Sequence, residues 1–377
     1  MTKKIVVVLL IFYLCMAVYC LDAKAENEKL SVNAKAFVLM DPISGRFLLE
    51  KNSEEKRAMA STTKIMTAII ALEKGGLKSQ IKVSPKAASI GGSSFYLKSG
   101  EALSLESMLY GLLLPSGNDA AVAIAEHIGG STAAFAELMN RKAEEIGAFS
   151  TNFTNPHGLD DENHYSTAYD LAKIARYALK IPEFNEIVRK REYYFNGRVL
   201  KNTNEMLDLY EGADGVKTGY TGLAGRCLIT SATREGMRLI SVVLFCDTKN
   251  LRTTSSIKIL DYSFAEYDRV QLIDKGTIMG SVKVKRSRTS QEIQVSAAED
   301  LAAVLKHNQK DTLSTRVSLP KTVTAPVRKG SIMGTVSVFQ GDRIIAETSL
   351  IAMDSAERKE LKDYIKQVFI EWSKISG

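Results

Sequence analysis

The sequence predicts an α/β domain followed by a small all-β domain and a terminal amphipathic helix. Three observations carry that expectation. Strand-like apolar runs near residues 36–50 and again near 227–245 bracket a long block of helical periodicity, so one sheet is expected to draw strands from both ends of the first domain. From about residue 270 to 350 the composition turns to Val, Ile, Thr, Ser and Lys in short alternating runs. After residue 355 apolar side chains recur at three- and four-residue steps.

At 377 residues, 45% hydrophobic and 25% charged, the chain has the make-up of a folded protein and the length for a large core plus a second domain. Residues 1–25 read as a secretory signal, with Lys3 and Lys4, an apolar run from Ile5 to Leu21, and then Ala23-Lys24-Ala25. Its removal takes three lysines and one aspartate, bringing the formal net charge from +7 to +5. Cys20 offers a lipoprotein alternative, disfavoured because Tyr19 stands where a small residue is preferred, and an uncleaved anchor is the other.

The first domain is expected over 26–268. Ala36–Met40 and residues 46–50 read as strands around Asp41-Pro42-Ile43-Ser44-Gly45. A helix is expected to begin at Ser61, run through Ile65, Met66, Ile69, Ile70 and Leu72, and stop at Gly75-Gly76. Further helices are expected over 105–114, 120–128 and 133–146, with another from Thr167, where Thr167-x-x-Asp170 resembles a capping box. The runs 227–232 and 239–245, joined at Glu235-Gly236, read as a hairpin placing Cys227 and Cys246 nearly opposite each other. A bridge between adjacent strands is strained, which favours two buried free thiols, and no basic partner marks either as a nucleophile. A helix over 257–264 closes the domain.

The β-rich domain is expected over 269–352. It contains an internal echo, Lys275-Gly276-Thr277-Ile278-Met279-Gly280-Ser281-Val282 and Lys329-Gly330-Ser331-Ile332-Met333-Gly334-Thr335-Val336. Two copies are too few for a solenoid and fit a small sandwich with two related hairpins, serving as a spacer or docking domain. In 353–377, Leu361, Tyr364, Ile365, Val368, Phe369, Trp372 and Ile375 share one helical face opposite charged residues. That helix is too charged to span a bilayer. It either packs on its own domain or lies on a membrane surface, and its terminal position with Phe369 and Trp372 favours the membrane.

Chemistry is carried by three short motifs. In Ser61-Thr62-Thr63-Lys64 the lysine lies one turn beyond the serine and shares its face, so an amine of lowered pKa could take the hydroxyl proton. Ser116-Gly117-Asn118 adds a second hydroxyl and an amide. Lys217-Thr218-Gly219 adds a cation, a hydroxyl and a residue whose missing side chain leaves room for a ligand along the strand. Each of the first two motifs is weak alone, since Ser79-x-x-Lys82, Ser255-x-x-Lys258 and Ser31-Val32-Asn33 match as well. The ordered triplet, with gaps of roughly 55 and 100 residues, is the signature of the penicillin-recognising serine enzymes.

With Asp41-Pro42-x-Ser44-Gly45, Ala60–Thr67, Pro115–Ala121 and Asn155-Pro156-His157-Gly158-Leu159, the chain resembles the low-molecular-mass penicillin-binding proteins of the D-alanyl-D-alanine carboxypeptidase type, serine peptidase family S11. The resemblance runs from about residue 33 to the C-terminus. It implies a β-lactamase-like fold with an antiparallel sheet and a helical cluster. It also implies attack by Ser61 on the penultimate D-alanine of a peptidoglycan pentapeptide stem, and β-lactams as covalent inhibitors. Lys64 resembles the general base, Ser116 a proton relay and Asn118 a holder of the substrate amide and of Lys64. Lys217 would bind near the substrate carboxylate, and Thr218 and Gly219 would receive the peptide as an added strand. The backbone N–H groups of Ser61 and Tyr220 would form the oxyanion hole. Arg252 falls where the family places an arginine for the terminal carboxylate. Some members have histidine where this chain has Tyr220, which puts any side-chain role there in doubt.

Other readings are weaker. Four histidines without ligand spacing do not make a metal site, and no cofactor is expected. His157 reads as a structural hydrogen-bonder, and Asp170 as a helix cap or a support of the site. The basic excess is dispersed and excludes a nucleic-acid footprint, while suiting anionic wall polymers or lipid headgroups. A class A β-lactamase would need a deacylating glutamate, and Glu183 and Glu186 lack the Glu-x-x-x-Asn spacing. DD-endopeptidase action on cross-links and a non-catalytic wall-binding protein remain as alternatives.

Overall fold

The computed structural model describes residues 30–307 and 312–375, so the expected signal at 1–25 lies outside the described residues. The chain forms two compact units, one ending at Ala265 and the other beginning at Glu266.

In the first unit β1 (Ala36–Met40) and β2 (Phe47–Lys51) pair antiparallel. Their turn is held by the Asp41 carboxylate, which accepts from Ile43 N at 2.9 Å and Ser44 Oγ at 2.6 Å. A short helical turn, Ala60–Thr63, runs into the helix Lys64–Lys74. Residues 64–71 of that helix are all buried, as suits an element surrounded by others. The hairpin β3 (Gln80–Lys82) and β4 (Ala102–Ser104) leads to the helices Leu105–Leu113, Asn118–Gly129 and Thr132–Ile146. Ser104 and Ser131 cap the first and last of these, each accepting a backbone N–H three residues on. The helix Ala168–Ala178 follows, then the hairpin β5 (Glu192–Phe195) and β6 (Arg198–Lys201).

The chain closes the sheet with β7 (Ala213–Thr221), β8 (Gly225–Arg234) and β9 (Met237–Cys246). The order is β2-β1-β9-β8-β7, all antiparallel, with Ala36 opposite Leu244 and Met40 opposite Ile240. Strands from both ends therefore share one sheet, and β7 is left at its edge. Glu235 and Gly236 both take positive φ in the β8–β9 turn, as a tight hairpin needs. Cys227 and Cys246 are free and buried, and burial pushes the thiols up to about 11 and about 12.

In this unit a helix start and a cap differ from expectation. The helix expected at 257 begins at Lys249, because Thr248 caps it through Leu251 N at 3.1 Å. Its polar stretch hides the periodicity: the hydroxyls of Ser256 and Ser263 donate to carbonyls four residues back and that of Thr253 to Glu205 Oε1, so each is buried with a partner. Asp170 forms only half of a capping box. Thr167 Oγ1 accepts from Asp170 N, but the Asp170 carboxylate turns to Ser150 N at 2.7 Å and Thr151 Oγ1 at 2.9 Å.

In the second unit β10 (Tyr267–Ile273) pairs with β13 (Leu301–Lys306). A six-stranded sheet combines β11 (Ile278–Lys285), β12 (Glu292–Ala297), β14 (Leu313–Ser318), β15 (Thr322–Thr324), β16 (Ile332–Gln340) and β17 (Arg343–Ala352) in the order β14-β16-β17-β12-β11-β15. Ala303 and Leu305 of β13 cluster with Val338 and Ile345 of the larger sheet, which makes an unequal sandwich. The sequence echo is structural. Gly276 and Gly330 have φ of +83° and +82° and donate to Ala297 O and Ala352 O, and register shifts at Ile278/Gly280 and Ile332/Gly334. Each copy opens a hairpin, and the inner strands β12 and β17 pair antiparallel, relating the copies by a local two-fold.

The terminal helix spans Leu361–Ile375 rather than starting at 355, because Ala356 and Arg358 make bridges to Val327 and Ser287. Its large apolar side chains stand exposed, with Leu361 at 76%, Val368 at 67%, Phe369 at 65% and Trp372 at 69%. Among the described residues no helix is long and apolar enough to cross a membrane.

Candidate active site

Ser61 sits in the turn Ala60–Thr63, which is locked from below. Thr62 Oγ1 donates to Met59 O and Thr63 Oγ1 to Ala60 O, both at 2.7 Å. His164 Nδ1 accepts from Thr154 N at 3.0 Å, so its proton is on Nε2, 2.8 Å from Thr63 Oγ1. Burial pushes His164 down to about 4 and His157 down to about 3, so both are neutral at pH 7. Gly158 closes against the turn so tightly that a Cβ there would lie 1.9 Å from Ala60 O, and its φ is +87°. Only glycine meets both demands.

Lys64 is fully buried, and its Nζ has three neighbours: Ser61 Oγ at 2.8 Å, Asn118 Oδ1 at 2.7 Å and His157 O at 2.8 Å. Asn118 Nδ2 donates to Gly91 O at 2.7 Å, which fixes the amide so that Oδ1 faces the lysine. Burial, then the nearby Lys217, push Lys64 well below the ordinary lysine range, with Asp119 opposing them. A neutral amine has two N–H groups and one lone pair. Two of the neighbours are carbonyl oxygens that only accept, so they take the N–H groups and the lone pair is left for the Ser61 hydroxyl. In its neutral form the amine is therefore oriented to take the Ser61 proton.

A cleft of about 330 Å³ is lined by Ser61, Ser116, Thr218, Gly219, Tyr220 and Arg252. Ser93, Thr203, Arg226 and Lys249 complete its wall. Lys64, Asn118 and Lys217 are buried behind these residues. Two larger hollows, near Asn185, Arg189 and Asp214 and near Leu30, Phe37 and Lys51, are lined by none of the three motifs.

Ser116 has φ of +69°, a left-handed conformation that is strained for serine, and its buried Oγ has no hydrogen-bond partner. Lys217, on β7, is pushed down to about 7 by burial and then by Arg252. Its neighbour Thr218 pairs Oγ1 with Thr203 Oγ1 at 2.8 Å. Gly219 has a role beyond leaving ligand space. A Cβ there would lie 3.0 Å from Met59 O and 3.2 Å from Ser61 N, so the glycine lets β7 close on the nucleophile turn. Tyr220 is 56% exposed, and the Arg226 guanidinium lies over its ring at 3.5 Å. Arg252 lies in the first turn of the helix Lys249–Glu266, and its Nη2 donates to Glu205 Oε1 at 2.5 Å.

The nine residues singled out by sequence are therefore drawn from four separate stretches of chain into one site. Sequence reasoning missed the His157 carbonyl, Thr203, Arg226, Lys249 and Glu205. It also missed Asp119, whose carboxylate accepts from Phe95 N at 2.8 Å, Leu97 N at 3.1 Å and Ser94 Oγ at 2.6 Å, holding the segment that carries Ser93. Asp119 had a signal, adjacency to Ser116-Gly117-Asn118. Glu205 had none, since its partner is 47 residues away. Among the described residues no cluster of His, Cys, Asp or Glu could hold a metal ion.

An α/β domain with an open edge strand, and a serine hydrogen-bonded to a buried lysine, defines a serine–lysine acyl-transfer enzyme. Comparison with known proteins gives the same class. Residues 22–248 match the peptidase S11 family, described as D-alanyl-D-alanine carboxypeptidase, and residues 267–358 match the C-terminal domain of penicillin-binding protein 5. D-alanyl-D-alanine carboxypeptidase DacF of Bacillus subtilis is 36% identical over 94% of this chain and 93% of its own length. DacC of Escherichia coli is 33% identical over 93% and 92%. The crystal structure of penicillin binding protein 5 from Haemophilus influenzae superposes with a TM-score of 0.75 at 32% identity, over 87% of this chain and 98% of that one. The chain belongs to the D-alanyl-D-alanine carboxypeptidase family.

Proposed function

We propose that this chain is a serine D-alanyl-D-alanine carboxypeptidase that trims the terminal D-alanine from peptidoglycan pentapeptide stems. The observation that carries the reading is the buried Lys64 amine, 2.8 Å from Ser61 Oγ and held by Asn118 Oδ1 and the His157 carbonyl, which in its neutral form has a lone pair for Ser61. Ser61 Oγ attacks the carbonyl carbon of the penultimate D-alanine as its proton passes to Lys64 Nζ. The oxyanion accepts from the backbone N–H groups of Ser61 and Tyr220. The C–N bond then breaks, and the proton held by Lys64 reaches the leaving nitrogen through the Ser116 hydroxyl, so D-alanine departs as an amine. Water attacks the ester carbonyl, gives a proton to Lys64, and Ser61 regains it as the stem peptide leaves.

Arg252 and Lys217 receive the terminal carboxylate, and β7 holds the stem along Thr218 and Gly219. The unpartnered Ser116 Oγ suits a relay that finds its partner only in the leaving amine. β-Lactams present the same carbonyl and carboxylate, and would acylate Ser61. To test this, the protein starting at residue 26 is mixed with diacetyl-Lys-D-Ala-D-Ala. Free D-alanine should appear catalytically, and folded protein that releases none would remove the reading.

The substrate is extracytoplasmic, which agrees with the signal-like residues 1–25. The exposed apolar face of Leu361–Ile375 supports attachment to the membrane surface, since Phe369 and Trp372 would enter the headgroup layer while the lysines stay in water. Deleting 353–377 should move the protein from the membrane to the soluble fraction without lowering D-alanine release. A variant still found wholly with the membrane would remove the anchor.

A further inference from the structure

We propose that Glu205 is a positioning residue for Arg252, holding the guanidinium by one corner so that its remaining donors face the terminal carboxylate of the substrate. The inference rests on the reading of Arg252 given above.

Glu205 is itself held in place by the segment that precedes it. Asn202 Nδ2 donates to Val188 O and Lys190 O at 3.1 and 2.9 Å, and its Oδ1 accepts from Asn204 N at 3.0 Å. Thr203 N donates to Leu114 O at 3.1 Å, next to the strained turn that carries Ser116, and Thr203 Oγ1 meets Thr218 Oγ1 of β7. Residues 202–205 therefore tie together the Ser116 turn, the edge strand and the base of Arg252.

The contact with Arg252 is one-sided. Glu205 Oε1 takes Arg252 Nη2 and Thr253 Oγ1, each at 2.5 Å, while Glu205 Oε2 and Arg252 Nε are buried without hydrogen-bond partners. A side-on fork would use both oxygens and both nitrogens. Here the guanidinium is anchored through Nη2 alone, its Nε lies buried, and Nη1 is left for the cleft. Thr253 and Arg252 favour the ionised carboxylate over its burial, so Glu205 stays charged, below the ordinary glutamate range. Lys249, one helical turn before Arg252 and also on the cleft, lies 3.8 Å from Glu205 Oε2. Lys249 and Glu205 offset each other, so Arg252 keeps its own charge for a carboxylate.

The chemistry separates this role from a structural one. The terminal carboxylate leaves with D-alanine at acylation, so a residue acting through Arg252 affects acylation and not hydrolysis of the acyl-enzyme. Glu205→Gln keeps an acceptor for Thr253 and removes the charge. It should lower kcat/KM for diacetyl-Lys-D-Ala-D-Ala roughly tenfold, with the single-turnover deacylation rate unchanged. In an Arg252→Gln background the same substitution should have no further effect. Thr253→Val, which leaves the charge but removes the second donor to Oε1, should lower acylation roughly threefold, and serves if the glutamine variant does not fold. If Arg252→Gln alone leaves acylation unchanged, the reading of Arg252 fails and takes this inference with it. If Arg252→Gln is severe while Glu205→Gln and Thr253→Val are silent, or slow deacylation equally, or act undiminished without Arg252, Glu205 is not the positioning residue.

Discussion

Ser61→Ala is expected to lower D-alanine release by at least about 10⁴-fold and to abolish covalent labelling by penicillin. The alanine removes one oxygen from a position where Lys64 Nζ, at 2.8 Å, is its hydrogen-bonding neighbour. The turn itself does not depend on that oxygen, because Thr62, Thr63 and Gly158 hold it. The thermal midpoint should therefore stay near that of the parent while both activities vanish. Retention of labelling in a folded Ser61→Ala protein would move the nucleophile elsewhere and sink the acyl-enzyme assignment.

Lys64→Met should lower kcat/KM by about 10⁴-fold. It also leaves Asn118 Oδ1 and His157 O buried without their donor, so stability should fall by about 1–3 kcal/mol. Methionine matches the lysine stem in bulk, so packing loss is not the cause. The pH profile tests the same group without removing it. Lys64 acts as base only when neutral, so activity falls as pH drops through its pKa, which burial and Lys217 have pushed well below 10.5. Taking away the neighbouring cation in Lys217→Gln raises that pKa. The acid limb of kcat/KM should then move to higher pH, whatever the loss in overall rate. A limb that stays put, or moves to lower pH, would show that Lys64 is not the titrating base.

How much of this was legible in the sequence depended on the kind of interaction. The helix Thr132–Ile146 and the strand β1 follow from local periodicity, and the sequence places them within a residue or two. The start of the helix at Lys249 was hidden, because Thr253 and Ser256 look like loop residues until their hydroxyls are seen to be bonded, Thr253 to Glu205 and Ser256 back into the helix. The terminal helix began later than its pattern suggested, since a bridge from Arg358 to Ser287 uses backbone that periodicity alone would assign to the helix.

The site divides in the same way. Ser61, Lys64, Ser116, Asn118 and Lys217–Gly219 could be read because their spacing is short-range and ordered, and Arg252 and Tyr220 because they resemble family positions. The sequence by itself determined which residue types carry the chemistry, the antiparallel α/β domain with its β-rich companion, and the repeated Gly-x-Ile-Met-Gly hairpins. Only the tertiary structure decided that Lys64 is buried beside Ser61 between Asn118 and the His157 carbonyl, that Gly219 brings β7 against the Ser61 turn, and that Glu205 bonds to Arg252. Those facts depend on burial and on contacts between distant segments, such as Asn118 and His157 meeting one amine. Periodicity and motif spacing report on neighbours along the chain, and the setting of the Lys64 amine is decided by neighbours in space.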